Sequence, residues 1–193
     1  LAMLMTTAYA QGLDYHLVPR AVAPDVWVLE GANADFSVRN GCNIINTGFI
    51  DTGDGVLVIN TGPSVLYGEQ QRQAIRQVTS APVRWVFNLN LHPDYFFGNQ
   101  AYADVGAQAL PGTIAGAQRE GEAYADNLYR LCGDWMRNTA STPPSQPLTP
   151  GERALGRHRI DLIRLEGHTD DDLVLVDRTR GVVFAGGLAF RDR

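Results

Sequence analysis

Histidine is scarce in this chain. Only His16, His92, His158 and His168 occur in 193 residues, which limits any site built from imidazoles. There is no dense basic run, and 21 acidic residues against 16 Lys plus Arg leave a net charge of -5. Nucleic acid, whose binding depends on clustered cations, is therefore not an expected partner. The absence of a G-x-S-x-G elbow removes the usual serine-hydrolase arrangement. Only two cysteines occur, Cys42 and Cys132, and they lie far apart. An oxidising compartment would permit them to pair, but the spacing does not require it, and two separately buried thiols are the preferred reading, Cys132 within a helical pattern that has no histidine near it in sequence. The apolar opening, LAMLMTTAYA, is too short to cross a bilayer.

What is present is an ordinary globular composition, 45% hydrophobic, enough to bury the core of one α/β domain. Residues 1–10 carry no charge and end in Ala8-Tyr9-Ala10, the small-x-small form cut by signal peptidase, before Gln11. They read as the remnant of an export signal. That places the protein in the periplasm or outside the cell, with residues 11–193 as its domain.

Short strands are expected at residues 15–20 and 26–30, then a polar loop over 31–41. Residues 43–50 and 56–60, joined by Thr52-Gly53-Asp54-Gly55, read as a hairpin. Ser64 caps a helix to about Val78 with Leu66, Ala74, Ile75 and Val78 on one side. A strand at 83–89 follows, so strand, helix and strand imply a parallel pair with a right-handed crossover. Beyond it come a short helix at 98–105, a short strand at 107–110 and a long helix over 113–138, weakened by Gly116, Gly121 and Gly133. Pro143, Pro144, Pro147 and Pro150 forbid helix and mark a linker over 141–150. Strands at 159–165, 173–177 and 182–185 complete the pattern.

The chain is organised around WVFNLNLHPDYFFGN, residues 85–99. A buried strand ends there in a loop that presents His92 and Asp94, where catalytic residues usually sit. Asn90, His92, Asp94 and Tyr95 stand at the spacing of an H-x-H-x-D-H signature, and Gly167-His168-Thr169 matches a G-H-T motif. T-G-D-G at 52–55, LVINTGPS at 57–64 and VFAGG at 183–187 follow the same order. On these motifs the chain, from Val26 to Arg193, resembles the metallo-β-lactamase superfamily, and within it the metallohydrolase-like proteins of quinoprotein relay systems. Two histidines of the signature are replaced, by Asn90 and Tyr95. Asn60 stands where the family usually has Asp, and Gly187 where many members carry a bridging Asp.

The resemblance implies an α/β fold of the αββα sandwich type, here short of its C-terminal part: either that part lies outside this sequence, or the variant is a shortened one whose open sheet edge is covered by something such as a second copy of the chain. It also implies metal chemistry, since in the family two zinc ions bound by about five His and Asp side chains generate hydroxide near neutral pH. With only His92 and His168 central, that dinuclear site is not available. What remains is a single-metal set of Asn90, His92, Asp94 and His168 for one zinc or iron ion, with Asp94 orienting the attacking water. The other reading is no metal at all, with His92 and His168 as hydrogen-bonded histidines and Asp94 accepting from an amide or a ring nitrogen.

The expected function is a periplasmic hydrolase-like protein with an impaired or mononuclear metal site, acting on a small molecule. Its alternative is a non-catalytic binding or accessory protein linked to a quinoprotein dehydrogenase system. Tyr95, Phe96 and Phe97 are expected mainly to pack, or else to line an apolar cleft. The run Asp170-Asp171-Asp172 offers a cation site or, more ordinarily, a solvated turn.

Overall fold

A computed structural model of the chain describes residues 12–189; the export signal expected at residues 1–10 lies outside them. Seven strands follow in chain order across a first sheet: β1 (Arg20–Ala23), β2 (Val26–Leu29), β3 (Thr47–Asp51), β4 (Val56–Ile59), β5 (Val83–Phe87), β6 (Ala107–Ala109) and β7 (Gln146–Pro147). Pairing is antiparallel from β1 to β4 and parallel from β4 to β7. A second, antiparallel sheet runs β11 (Val182–Phe184), β10 (Asp172–Asp177), β9 (His158–Leu165), β8 (Gly151–Leu155).

The strand β4 reads VLVI and is buried throughout, as a strand covered on both faces must be. Its alternate residues serve different layers. Leu57 and Ile59 join Ile50 and Phe87 against Ile160, Leu162, Leu175 and Phe184 of the second sheet. Val56 and Val58 join Phe49 and Val86 beneath Ala74 and Ile75 of α1 (Val65–Val78). The result is two face-packed sheets with α1 on the outer side of the first. Ser64 caps α1 as the sequence suggests, its Oγ accepting from the amide of Tyr67 at 3.0 Å.

Several elements differ from expectation for identifiable reasons. Residue 15 is not in a strand: the Tyr15 amide donates to Gln70 Oε1 at 2.8 Å on α1, and its ring packs on Tyr67 and Trp135. A backbone bonded to a helix side chain is not available to a ladder. The long helix α3 (Pro111–Cys132) is unbroken at Gly116 and Gly121, because those glycines admit close neighbours. A Cβ on Gly116 would lie 2.9 Å from Leu91, and one on Gly121 would meet Ser141. At Gly133, with φ +56, the helix stops and passes into a 3-10 turn, Gly133–Met136. Between β5 and β6 lie α2 (Pro93–Phe96) and a 3-10 helix, Phe97–Tyr102. Within the proline-rich segment 141–150, the amides of Ser145 and Leu148 donate to Ala107 and Ala109, which sets β7 at the sheet edge, a place strand prolines tolerate.

Cys42 and Cys132, expected as separate thiols, are instead joined in a disulfide with Cα atoms 6.0 Å apart. Their 90-residue separation carries no sign of this in sequence. The loop before Cys42 is folded back onto the end of α3, where Trp135 Nε1 donates to the Val38 carbonyl at 2.9 Å. Among the described residues, no helix is long and apolar enough to cross a membrane.

Candidate active site

The site forms where β5 leaves the first sheet. Asn60, just past β4, adopts φ +61, a region Asn tolerates better than most side chains. From there its Oδ1 accepts the Leu89 amide at 2.9 Å, and its own amide donates to the Phe87 carbonyl at 2.8 Å. Asn60 is thus a splint for the exit of β5. Beneath it Asn88 and Asn99 exchange amide hydrogen bonds of 3.1 and 2.8 Å, Thr61 donates to Asn99, and Asn88 also donates to the Tyr95 carbonyl. All of these groups are buried and mutually satisfied, so the loop from Leu89 to Tyr95 rests on a rigid polar base.

Each residue expected at the site can now be placed. His92 immediately precedes α2 and is half-buried. Its Nδ1 lies 2.9 Å from Nε2 of His168, and the rings meet edge to face with centroids 4.5 Å apart. Burial holds the His92 imidazole below its ordinary pKa, the neighbouring His168 adds to this, and Asp172 opposes it. Asn90 is buried, and its Oδ1 accepts the His92 amide at 3.0 Å, which fixes the turn that carries His92. Asp94 is buried in the first turn of α2.

His168 stands in the turn between β9 and β10. Asp172, itself buried, accepts from the amides of His168 at 2.8 Å and Thr169 at 2.9 Å, and from the Thr169 hydroxyl at 2.9 Å. Asp171 is also committed, accepting from the Gly112 amide at 2.9 Å and from the Arg164 guanidinium. The acidic run is therefore neither an open cation site nor a fully solvated turn; two of its three carboxylates order the His168 turn. Sequence reasoning missed this, although an acid four residues after a histidine in a turn is the local signature of side-chain-to-amide bonding.

The three aromatics beyond Asp94 are all buried. Tyr95 belongs to the inter-sheet core, and Phe96 and Phe97 pack with Cys42, Cys132 and Leu128. On the other side of Tyr95 and Leu89 lies a cleft of about 570 Å³, with Val22, Val28, Ile45 and Phe184 among its walls. His158 is elsewhere: fully buried at the far end of β9, its Nδ1 lies 2.6 Å from Asp177 Oδ2.

The metal fit follows from the donors present. Zinc centres take three or four protein ligands, and two nitrogens on one tetrahedral zinc stand about 3.3 Å apart. The His92–His168 spacing of 2.9 Å is that of a hydrogen bond. Among the described residues, no group of three or more His, Cys, Asp or Glu side chains is arranged to hold an ion. The Asn90 oxygen, the other expected donor, is turned to a backbone amide. Two imidazoles are half of a closed zinc centre, and this donor set does not fit one.

A family model described as the metallo-beta-lactamase superfamily matches residues 40–193. Among solved structures, the chain is similar to a metallo-beta-lactamase from Pontibacter korlensis, with 16% identity, a TM-score of 0.71, and coverage of 92% of this chain and 74% of that one. It is also similar to the metallo-beta-lactamase IND-7, with 14% identity, a TM-score of 0.69, and coverage of 93% and 75%. At such identities these likenesses speak for the fold. No curated protein matches the chain in sequence. With two packed sheets, a histidine loop at the end of β5 and a G-H-T turn facing it, and with four-fifths of its length matched by the family model, the chain belongs to the metallo-β-lactamase superfamily.

Proposed function

We propose that this protein is a periplasmic, hydrolase-like member of the superfamily whose centre is impaired and holds at most one metal ion. The observation that carries the reading is the His92–His168 contact at 2.9 Å, two imidazoles facing each other, while among the described residues no group of three or more His, Cys, Asp or Glu side chains is arranged to hold an ion. Loss even of groups that merely orient ligands costs tenfold or more in metal affinity, and here ligands themselves are replaced. A small organic molecule is the ligand class that suits the neighbouring cleft beyond Leu89 and Tyr95.

Elemental analysis of the purified protein, after incubation with zinc or iron in modest excess, tests this. At most one ion per chain is expected, and two tightly retained ions would overturn the reading. The same contact favours a second reading, a non-catalytic binding or accessory protein on the same fold, which the sequence resemblance alone would link to a quinoprotein dehydrogenase system. A protein that retains no ion under these conditions, and hydrolyses no ester, lactam or thioester, is the outcome expected of that second reading.

A further inference from the structure

The turn that carries His168 meets the short 3-10 turn Gly186–Leu188 that follows β11. The two are interlocked through their glycines. A Cβ on Gly167 would lie 2.7 Å from Leu188 Cδ2, and a Cβ on Gly187 would clash with the His168 ring, 2.7 Å from Nε2 and closer still to Cγ and Cδ2. Each glycine thus receives the side chain that follows the other glycine. The consequences differ, however, because Leu188 presents the far end of a flexible chain, whereas His168 presents a flat ring.

The His168 backbone is not free to move aside. Its amide and that of Thr169 are tied to the buried Asp172 carboxylate, and Leu173, one residue on, donates to the Leu89 carbonyl at 2.9 Å. With its backbone tied, His168 meets a side chain at position 187 with the ring itself, and a ring rotated out of that contact takes Nε2 away from His92 Nδ1.

We propose that Gly187 is a positioning residue: the vacant volume above its α-carbon is what lets the His168 ring lie against His92. The inference deepens the proposed reading and rests on it for its functional meaning, because the pair so held is what remains of the site's metal-binding chemistry. Gly187 itself acts only through His168.

Nitrogen NMR of the imidazole rings, recorded on the purified protein with a chelator present, tests this whatever the metal content. In the wild type, His92→Ala is expected to shift the His168 nitrogen signals, which reads the pair directly. In Gly187→Ala the His168 signals are expected to match those of the His92→Ala variant. Gly167→Ala, which meets only the flexible end of Leu188, is expected to leave them at wild-type positions. If Gly187→Ala does not fold, the double variant Gly187→Ala/His168→Ala is expected to fold, because the ring that clashes is gone. Unchanged His168 signals in Gly187→Ala, an equal shift in Gly167→Ala, insensitivity of His168 to His92→Ala, or a double variant that also fails to fold would each overturn the proposal. A metal count of two per chain with the imidazole result intact would instead sink the proposed function alone.

Discussion

The Leu173 amide donates to the Leu89 carbonyl at 2.9 Å, a direct backbone link between the second sheet and the exit of the first. Leu89 stands one residue before Asn90, and Leu173 one residue after Asp172. This bond, with those of Gly112 and Thr113 to Asp171, ties together the two turns that carry His92 and His168, which lie 76 residues apart in sequence.

Asp172 governs one side of that link. Asp172→Ala leaves the amides of His168 and Thr169 without their acceptor, at a cost of about 1–3 kcal/mol. Asp172→Asn keeps an oxygen for those amides and is expected to recover most of the loss. Denaturant unfolding of the two variants checks this; equal costs would show that the carboxylate bonds contribute nothing beyond packing.

Histidine substitutions separate site from scaffold. His92→Ala and His168→Ala are each expected to abolish whatever metal the protein retains, while His158→Ala leaves it unchanged. His158→Ala instead removes one hydrogen-bond partner of the buried Asp177 carboxylate, which keeps the amides of Thr179 and Arg180, and lowers stability by about 1–3 kcal/mol. Metal analysis alongside unfolding decides it, and equal metal content in all three variants would put the site elsewhere.

The Cys42–Cys132 bond closes a long loop. Because it spans 90 residues, chain entropy gives it about 4–5 kcal/mol of stabilisation. Unfolding midpoints in the presence and absence of reductant should differ by a corresponding amount, with Cys132→Ser matching the reduced wild type. Coincident midpoints would show that the loop is constrained by its packing alone.

Alkaline pH acts through buried phenols. Burial holds the Tyr67 and Tyr102 hydroxyls well above their ordinary pKa, so the folded protein keeps these protons when the unfolded chain has begun to lose them. Their stabilisation is complete below the unfolded value, near pH 10, and falls by up to about 1.4 kcal/mol per pH unit for each group above it. Tyr102→Phe, which also removes the bond to Gln71 Oε1, should flatten the alkaline limb of the stability curve. An unchanged slope would show that Tyr102 ionises equally in both states.

Much of the sandwich was readable because local signals and burial agree. The buried VLVI of β4, the hairpin around Thr52 to Gly55 and the Ser64 cap each say in a few residues what the fold makes of them. The edge strands β1 and β7 were not readable, since the partners of a short strand, not its own composition, make it one. At the site, His92, His168, Asn90 and Asp94 were legible by motif spacing, while the Asn88–Asn99 base and the role of Asp172 depend on partners distant in sequence or on a turn geometry that composition does not reveal.

By itself the sequence determined which donors exist: few histidines, Asn90 and Tyr95 in place of two others, and glycine at position 187. Only the tertiary structure decided what they do together. Hydrogen bonds and van der Waals contact act over a few ångströms, so the closing of His168 on His92 over Gly187, like the joining of Cys42 to Cys132, exists only once the two sheets have met.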